Sequence, residues 1–264
     1  MVCTSLNESV AAAVTKKTAL LDQSPSRFIV RAILAGVYLL IGTAFAGAVA
    51  QAVEKNFEGL GSVAFAFLFG LGLFAIIILG ADLATGNMMF MVYGAANKQV
   101  TWAKAFWLII VTTVFNLVGA AILVAALGVS AKFGNLPVDH IIVTLTDAKL
   151  AKGPAGMLVE GILANFVVNM SIVGGIFAKE IISKFIVIVP LIAAFVGMGL
   201  EHVIANFCLV CLTFFDAGAF PEHFTLGAVL TNWAIVWVGN VIGGGFLIGG
   251  VYAWLNKGPE AYRD

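Results

Sequence analysis

Two short polar segments interrupt an otherwise apolar chain and contain most of its chemically active side chains. They read GADLATGN at 80–87 and GLEHVIAN at 199–206, and each has a glycine, an acid two residues later and an asparagine five residues after the acid. Carboxylates and amides can bond backbone groups that a helix break leaves unpaired, and acids favour a helix N-terminus. We therefore predict capping of half-helices, rather than substrate binding, for Asp82, Asn87, Glu201 and Asn206.

His202 is one of three histidines in the chain and differs from the other two in its surroundings. It lies in an apolar stretch, whereas His140 and His223 fall in predicted loops and are expected to be solvated. An ionisable side chain inside a membrane span indicates function by default. Because histidine exchanges protons near neutral pH, we predict a functional role in proton exchange for His202.

The composition is that of a membrane protein. Of 264 residues 61% are hydrophobic and 11% are charged, and the mean hydropathy is +1.06, whereas soluble domains have about 25% charged residues. Fourteen basic residues balance fourteen acidic ones, which argues against a nucleic-acid partner. Cys3 stands alone, and Cys208 and Cys211 are interpreted as apolar packing residues. We expect no metal site, no cofactor and no signal peptide.

Six apolar stretches are long enough to cross a bilayer as helices. They cover 28–53, 59–79 with its continuation, 106–129, 154–178, 185–215 with an interruption, and 226–255. Six spans place both termini on one side, and ten basic residues then share that side against four on the other, which predicts cytoplasmic termini. The ten are Lys16, Lys17, Arg27, Arg31, Lys98, Lys104, Lys179, Lys184, Lys257 and Arg263, and the four are Lys55, Lys132, Lys149 and Lys152. Residues 8–21 are interpreted either as an amphipathic helix on the inner surface or as an ordinary polar tail.

Three pairs of segments match in order at a spacing of about 120–130 residues. RAILAG matches EGILAN, GADLATGN matches GLEHVIAN, and FNLVGA matches GNVIGG. They divide the chain into repeats at 28–129 and 154–255 with three spans each, and an odd number of spans inverts one repeat relative to the other. We predict an all-α membrane protein with one channel domain at 28–255, a cytoplasmic N-terminal segment at 1–27 and a cytoplasmic tail at 256–264.

At these motifs the chain resembles the formate/nitrite transporter family, the pentameric bacterial channels for small monovalent anions. The resemblance covers residues 25–256, and its most specific pieces are GADLATG, GILAN, GLEHVIAN and GNVIGGG. It implies an aquaporin-like fold with six helices per protomer, in which the second and fifth are broken, and one pore through each protomer of a homopentamer in the bacterial cytoplasmic membrane.

The resemblance also implies roles for individual residues. His202 matches the central pore histidine, with Thr85 and Asn240 as its hydrogen-bonding neighbours, and Lys149 and Asn165 match polar residues of the outer vestibule and the pore. Residues 83–85 fall on the family's loop in the second helix. The pore-constricting positions are Phe69, Leu73, Leu83, Ala84 and Phe195. Formate channels of the family often have an aromatic residue where this chain has Ala84.

The function that the resemblance implies is passage of formate or nitrite, with protons as exchange partners at or near His202. An anion that enters an apolar constriction loses its hydration, and protonation to the neutral acid removes most of that cost. TGNMMFMVYG at 85–94 resembles the nitrite branch more closely, while formate is the family's commonest substrate. The alternatives are a proton-coupled symporter for lactate or acetate and a hydrosulfide channel. A water channel would need Asn-Pro-Ala at the breaks, and an intramembrane protease His-Glu-x-x-His or Gly-x-Ser-Gly; none of these motifs is present.

Overall fold

A computed structural model describes residues 5–259, and this part of the chain is almost entirely helical. Cys3, Arg263 and the last five residues of the predicted tail lie outside the described residues. The α-helices are α1 (Leu6–Gln23), α2 (Pro25–Glu54), α3 (Leu60–Leu79), α4 (Ala84–Ala96), α5 (Trp102–Leu127), α6 (Ile141–Leu150), α7 (Pro154–Phe177), α8 (Ile181–Gly197), α9 (Val203–Asp216), α10 (Leu226–Asn240) and α11 (Val251–Leu255), with a π-helical segment, Val241–Gly250, joining the last two.

Five helical stretches are long and apolar enough to cross a membrane. They are Pro25–Glu54, Leu60–Leu79, Trp102–Leu127, Pro154–Phe177 and Leu226–Leu255. The predicted fifth stretch is divided into two shorter apolar helices, α8 and α9. The predicted boundaries agree with the observed ones to within a few residues, because long apolar runs mark helix ends well.

Both predicted breaks are present, and each begins with a glycine in the left-handed region. Gly80 ends α3 with φ 68°, and Gly199 follows α8 with φ 70°. A side chain is strained in that conformation, which explains glycine at both positions. The first break differs from the expected one, since Ala84 and Thr85 already belong to the first turn of α4 and only 80–83 are non-helical.

Residues 8–21 lie within helix α1, so their interpretation as an ordinary polar tail is wrong. Ser5 and Glu8 form a reciprocal capping box at its start. The apolar face is buried, and its contacts are with α2, α4 and α7; its buried side chains are Leu6, Val10, Val14 and Leu21. The helix is therefore docked on the protein's own helices.

Glycines let the last span approach its neighbours within the same protomer. A Cβ on Gly239 would lie 2.6 Å from the Leu158 carbonyl oxygen of α7, and one on Gly249 2.5 Å from the Met89 carbonyl oxygen of α4. Such distances are too short for any side chain, so the glycines are required by helix packing. The π-helical segment between them was not predicted from the sequence.

Candidate functional site: a histidine between two cavities

His202 lies in the protein interior with both ring nitrogens engaged. It is 3% exposed and is the N-cap residue of α9, where Nδ1 accepts a hydrogen bond of 3.1 Å from the Ala205 N–H. Nε2 lies 2.9 Å from Oγ1 of the fully buried Thr85 in α4. A backbone N–H can only donate, so Nδ1 is unprotonated and Nε2–H donates to Thr85. The predicted partnership of His202 with Thr85 agrees with this geometry.

Asn240 does not bond His202, and that prediction is wrong. Its Oδ1 accepts from the Val203 N–H at 2.9 Å, and its Nδ2 donates to the carbonyl oxygens of Gly161 at 2.7 Å and Glu201 at 3.0 Å. Both polar atoms of its side chain thus bond backbone groups, which connects α7, the second break and the start of α9. Asn240 holds the backbone that positions His202.

Asn116 holds the backbone of the first break in the same way, and it was not predicted from the sequence. Its Oδ1 accepts from the Ala84 N–H at 2.9 Å, and its Nδ2 donates to the carbonyl oxygens of Ala32 at 2.7 Å and Asp82 at 2.9 Å. The match of FNLVGA with GNVIGG places Asn116 and Asn240 at the same repeat position. That match was the signal that could have identified Asn116.

Asp82 and Glu201 do not cap the half-helices, because α4 begins without a side-chain cap and α9 is capped by His202. Asp82, 4% exposed, forms an ion pair with Lys17 of α1. Glu201 is fully buried, and its Oε1 accepts from Lys149 at 3.0 Å and Lys152 at 2.8 Å. Each acid instead fastens its helix break to a lysine that precedes a spanning helix.

The asparagines expected to cap the half-helices bind other side chains. Asn87 donates to Thr112 at 3.1 Å, and Asn206 donates to Oε2 of Glu201 at 2.6 Å. Asn165 donates from α7 to the Thr85 carbonyl oxygen at 3.2 Å, and Asn169, which was not predicted, does the same. The first turn of α4 is thus held by amides on one side while Thr85 Oγ1 faces His202.

An outer cavity of about 350 Å³ lies on the α6 side of His202. Its lining includes Phe69, Phe195, Lys149 and Lys152. The rings of Phe69 and Phe195 meet edge to face with centroids 6.0 Å apart, and the Phe195 centroid is 5.9 Å from that of His202. The predicted aromatic constriction and vestibule lysine therefore lie together at this cavity.

An inner cavity of about 240 Å³ lies on the α1 side, next to the first break. Leu73 and Leu83 line it, as predicted for constricting residues, whereas Ala84 is fully buried with its N–H bonded to Asn116. Its charged lining consists of four cations and one acid, namely Lys16, Lys17, Arg31, Lys184 and Asp82. Helix α1 forms part of the wall, which the sequence did not reveal.

The two cavities follow one another along α3. Residues from Ser62 to Phe69 line the outer cavity, and residues from Leu73 to Ile77 line the inner one. Apolar side chains separate the cavities, and the His202–Thr85 pair is the buried polar contact between Phe195 and the first turn of α4. His202 and Thr85 line neither cavity, so the pair lies in the packed region next to residues of both linings, Phe195 on the outer side and Gly86 on the inner side.

Burial and hydrogen bonds shift the pKa values of three basic groups in and next to α6. Burial lowers the pKa of Lys149, although Glu201 acts in the opposite direction. Burial also disfavours the charge of Lys152, but its hydrogen bonds to Glu160 and Glu201 outweigh this effect and raise the pKa. His140, expected to be solvated, is instead 7% exposed, and burial lowers its pKa to about 4.

Comparison with known proteins points to one family. The formate/nitrite transporter family matches residues 4–254 of the chain. The nitrite transporter NirC of Escherichia coli (strain K12) is 30% identical over 241 residues, which covers 91% of this chain and 87% of that protein. The formate channel FocA of the same strain is 28% identical over 240 residues, covering 84% of this chain and 83% of that protein.

Solved structures have the same fold. A chain described as an FNT family ion channel superposes with a TM-score of 0.87 at 25% identity, covering 94% of this chain and 98% of that chain. A pentameric formate channel with formate bound has a TM-score of 0.74 at 22% identity, covering 88% of this chain and 97% of that one. The chain therefore shares its overall helical fold with these channels.

Proposed function

Because this chain belongs to the formate/nitrite transporter family, we propose that it is a channel for small monovalent weak-acid anions, with formate and nitrite as its first substrates. Its relatives are transporters and channels, so it is not an enzyme. The observation that carries the proposal is the buried His202–Thr85 pair between two lysine-lined cavities. A weak-acid anion and a proton can meet there out of contact with bulk water.

The proposed architecture is an inverted pair of three-span repeats with broken second and fifth helices. Its support is the equivalence of hydrogen bonds at the two breaks. Asn116 bonds the backbone of residues 32, 82 and 84, and Asn240 bonds that of 161, 201 and 203. Residues 32 and 161, 82 and 201, and 84 and 203 occupy matching positions in the repeated segments. The basic residues that flank the spans favour a bacterial cytoplasmic membrane with both termini inside.

The proposed assembly is a homopentamer. Its support is the solved formate channel of the same fold, which is pentameric. Each protomer would then contribute its own pair of cavities and its own His202.

The proposed step at the centre is protonation of the anion beside His202 and Thr85. In the resting state His202 is neutral, and its Nε2–H donates to Thr85 Oγ1, which leaves the threonine hydroxyl proton available for an anion. To give a proton itself, His202 must first take up a second proton at Nδ1 from water in a cavity, which requires Nδ1 to release the Ala205 N–H, and the ring returns to the neutral form when one proton passes to the anion. Hydrogen bonding to Thr85 therefore precedes proton exchange, and the neutral acid then passes the apolar side chains.

Replacing His202 with asparagine tests this role. Asparagine can still accept from the N–H groups at the start of α9, but it cannot exchange protons, so we expect formate and nitrite flux into proteoliposomes to fall at least about tenfold. The His202→Ala variant, which loses the cap as well, should be equally slow and less stable to heat. If His202→Asn keeps full, pH-independent flux, His202 is only a helix cap and the proton-exchange step is wrong.

A proton-coupled symporter for lactate or acetate uses the same titratable histidine. The two mechanisms differ in stoichiometry, because a symporter moves one proton with each anion under every gradient, whereas exchange at His202 lets the substrate leave either as the neutral acid or, after it returns the proton, as the anion. Recording internal pH while a formate gradient is imposed distinguishes them. A fixed ratio of protons to anions under every gradient would favour the symporter.

A further inference from the structure

We propose that Lys152 is a positioning residue that sets how much positive charge Lys149 presents to an anion in the outer cavity, and that Glu160 opposes it. The inference rests on the proposed anion transport. It goes beyond that function because it assigns roles to an ion pair, Lys152 with Glu160, that the pore itself does not require.

The ammonium group of Lys152 is fully occupied. It donates to Glu201 Oε1 at 2.8 Å, to the Gly199 carbonyl oxygen at 2.8 Å and to Glu160 Oε2. A lysine ammonium has three N–H donors, so Lys152 keeps none for a substrate. It holds the second helix break and α7 together, and its charge remains where these contacts place it.

Lys149 differs in having a donor to spare. Its ammonium group donates to the Leu200 carbonyl oxygen and to Glu201 Oε1, both at 3.0 Å, and the third N–H has no acceptor among the residues that the structure describes. Lys149 also lines the outer cavity beside Phe69 and Phe195. It is therefore the lysine that an incoming anion contacts.

Glu201 is shared between the two lysines, and this sharing determines the field at Lys149. Oε1 accepts from both ammonium groups, while Oε2 accepts from Asn206 and Asn232. With Lys152 present, Glu201 neutralises only part of the charge on Lys149. Without Lys152, the same carboxylate would pair with Lys149 alone and compete with the substrate. Glu160 reduces the positive charge that Lys149 presents, because its own negative charge offsets that of Lys152.

Single and double substitutions separate this electrostatic role from a structural one. We expect Lys152→Gln to raise the half-saturating concentration for formate flux and Glu160→Gln to lower it, each by about two- to fivefold, the range typical of partly exposed charge pairs. The Lys152→Gln/Glu160→Gln double variant should return close to wild type, and Lys152→Arg should retain the wild-type value. Both shifts should shrink in high salt. Lys132→Gln, in a loop outside the cluster, is the matched control.

A purely structural ion pair predicts a different pattern. Both single substitutions would then change flux in the same direction, because either one breaks the same contact, and maximal flux would fall in place of half-saturation. That result would overturn the inference. Failure of the proposed function is recognised separately, since wild-type protein would then show no saturable formate or nitrite flux at all.

Discussion

At the residue scale, the buried polar side chains of this protein divide into those that hold backbone and those that can meet a substrate. Asn116 and Asn240 have every hydrogen-bonding atom committed to backbone partners. Thr85 and Lys149 each keep a proton that has no acceptor within the described chain. An uncommitted donor, beside His202 for Thr85 and in the outer cavity for Lys149, distinguishes these two residues from the other buried polar side chains.

His140 makes stability depend on pH, and its sign follows from burial. Burial lowers its pKa from 6.5 to about 4, with Lys55 and Lys132 adding to the effect, although Asp139 opposes it. The unfolded chain therefore binds more protons between these values, so stability is full above pH 6.5 and is lost as the pH falls toward 4. The loss attributable to His140 is at most roughly 3 kcal/mol.

The His140→Asn variant checks this expectation. Asparagine can keep the bond that Nδ1 of His140 accepts from the Ile142 N–H at the start of α6, but it does not titrate. Thermal unfolding in detergent should show a smaller loss of stability between pH 6.5 and pH 4 for the variant than for wild type. Parallel losses would assign the pH dependence to other groups.

At the element scale, two broken helices and the two non-spanning helices α1 and α6 determine the site. Each break is fastened by an asparagine from a neighbouring spanning helix and by an acid paired with a lysine from outside the span, Lys17 of α1 or Lys149 of α6. Non-helical backbone at membrane depth is tolerated only when its polar groups are paired within the protein. Helices α1 and α6 thus have comparable structural roles.

Replacing Asn116 with leucine should be among the most damaging single changes. It leaves the Ala84 N–H and the carbonyl oxygens of Ala32 and Asp82 without this partner in the interior. Each unpaired buried group costs about 1–3 kcal/mol, so we expect a loss on the order of 3 kcal/mol or more, measured by thermal unfolding.

The matched substitutions are Asn240→Leu and Asn87→Leu. The first should cost as much as Asn116→Leu, because it leaves the equivalent three groups unpaired. The second removes one side-chain bond, to Thr112, and should cost about 1 kcal/mol. Equal costs for Asn116→Leu and Asn87→Leu would contradict the assigned role of Asn116.

At the scale of the whole molecule, one protomer contains both cavities and the histidine between them. Large apolar side chains, among them Phe106, Trp107 and Trp254, remain exposed on its surface. A lipid-facing or subunit-facing surface accounts for such exposure. The exposed apolar surface is thus available for lipid or for the subunit contacts of the proposed homopentamer, while both cavities lie within one chain.

The proposed homopentamer predicts a definite mass. Native mass spectrometry of detergent-solubilised protein should give a species of five 27.7 kDa chains. Prior chemical crosslinking in membranes controls for dissociation by detergent. A crosslinked ladder that stops at another number of chains would refute the pentamer.

The sequence alone determined the class of protein, the helical stretches and the positions of both breaks. Apolar runs must become helices in a bilayer, and a glycine followed two residues later by an acid indicates a break in such a helix. Local composition was therefore sufficient to predict the helical stretches and the breaks. Repetition of three motifs also paired Asp82 with Glu201, and His202 was singled out as an ionisable residue within an apolar stretch. These inferences depend on the order of residues along the chain and on the lipid environment of the helices. The order is explicit in the sequence, and its apolar composition indicates the lipid environment.

Tertiary structure decided which partner each polar group takes. Asp82 and Glu201 were expected to cap helices and instead bind lysines, Asn240 bonds backbone rather than His202, and α1 docks on the protein and lines the inner cavity. A lysine many residues away competes with a nearby N–H for the same carboxylate. Only packing determines which of them reaches it, because a buried charge takes the partner that compensates its lost hydration most completely.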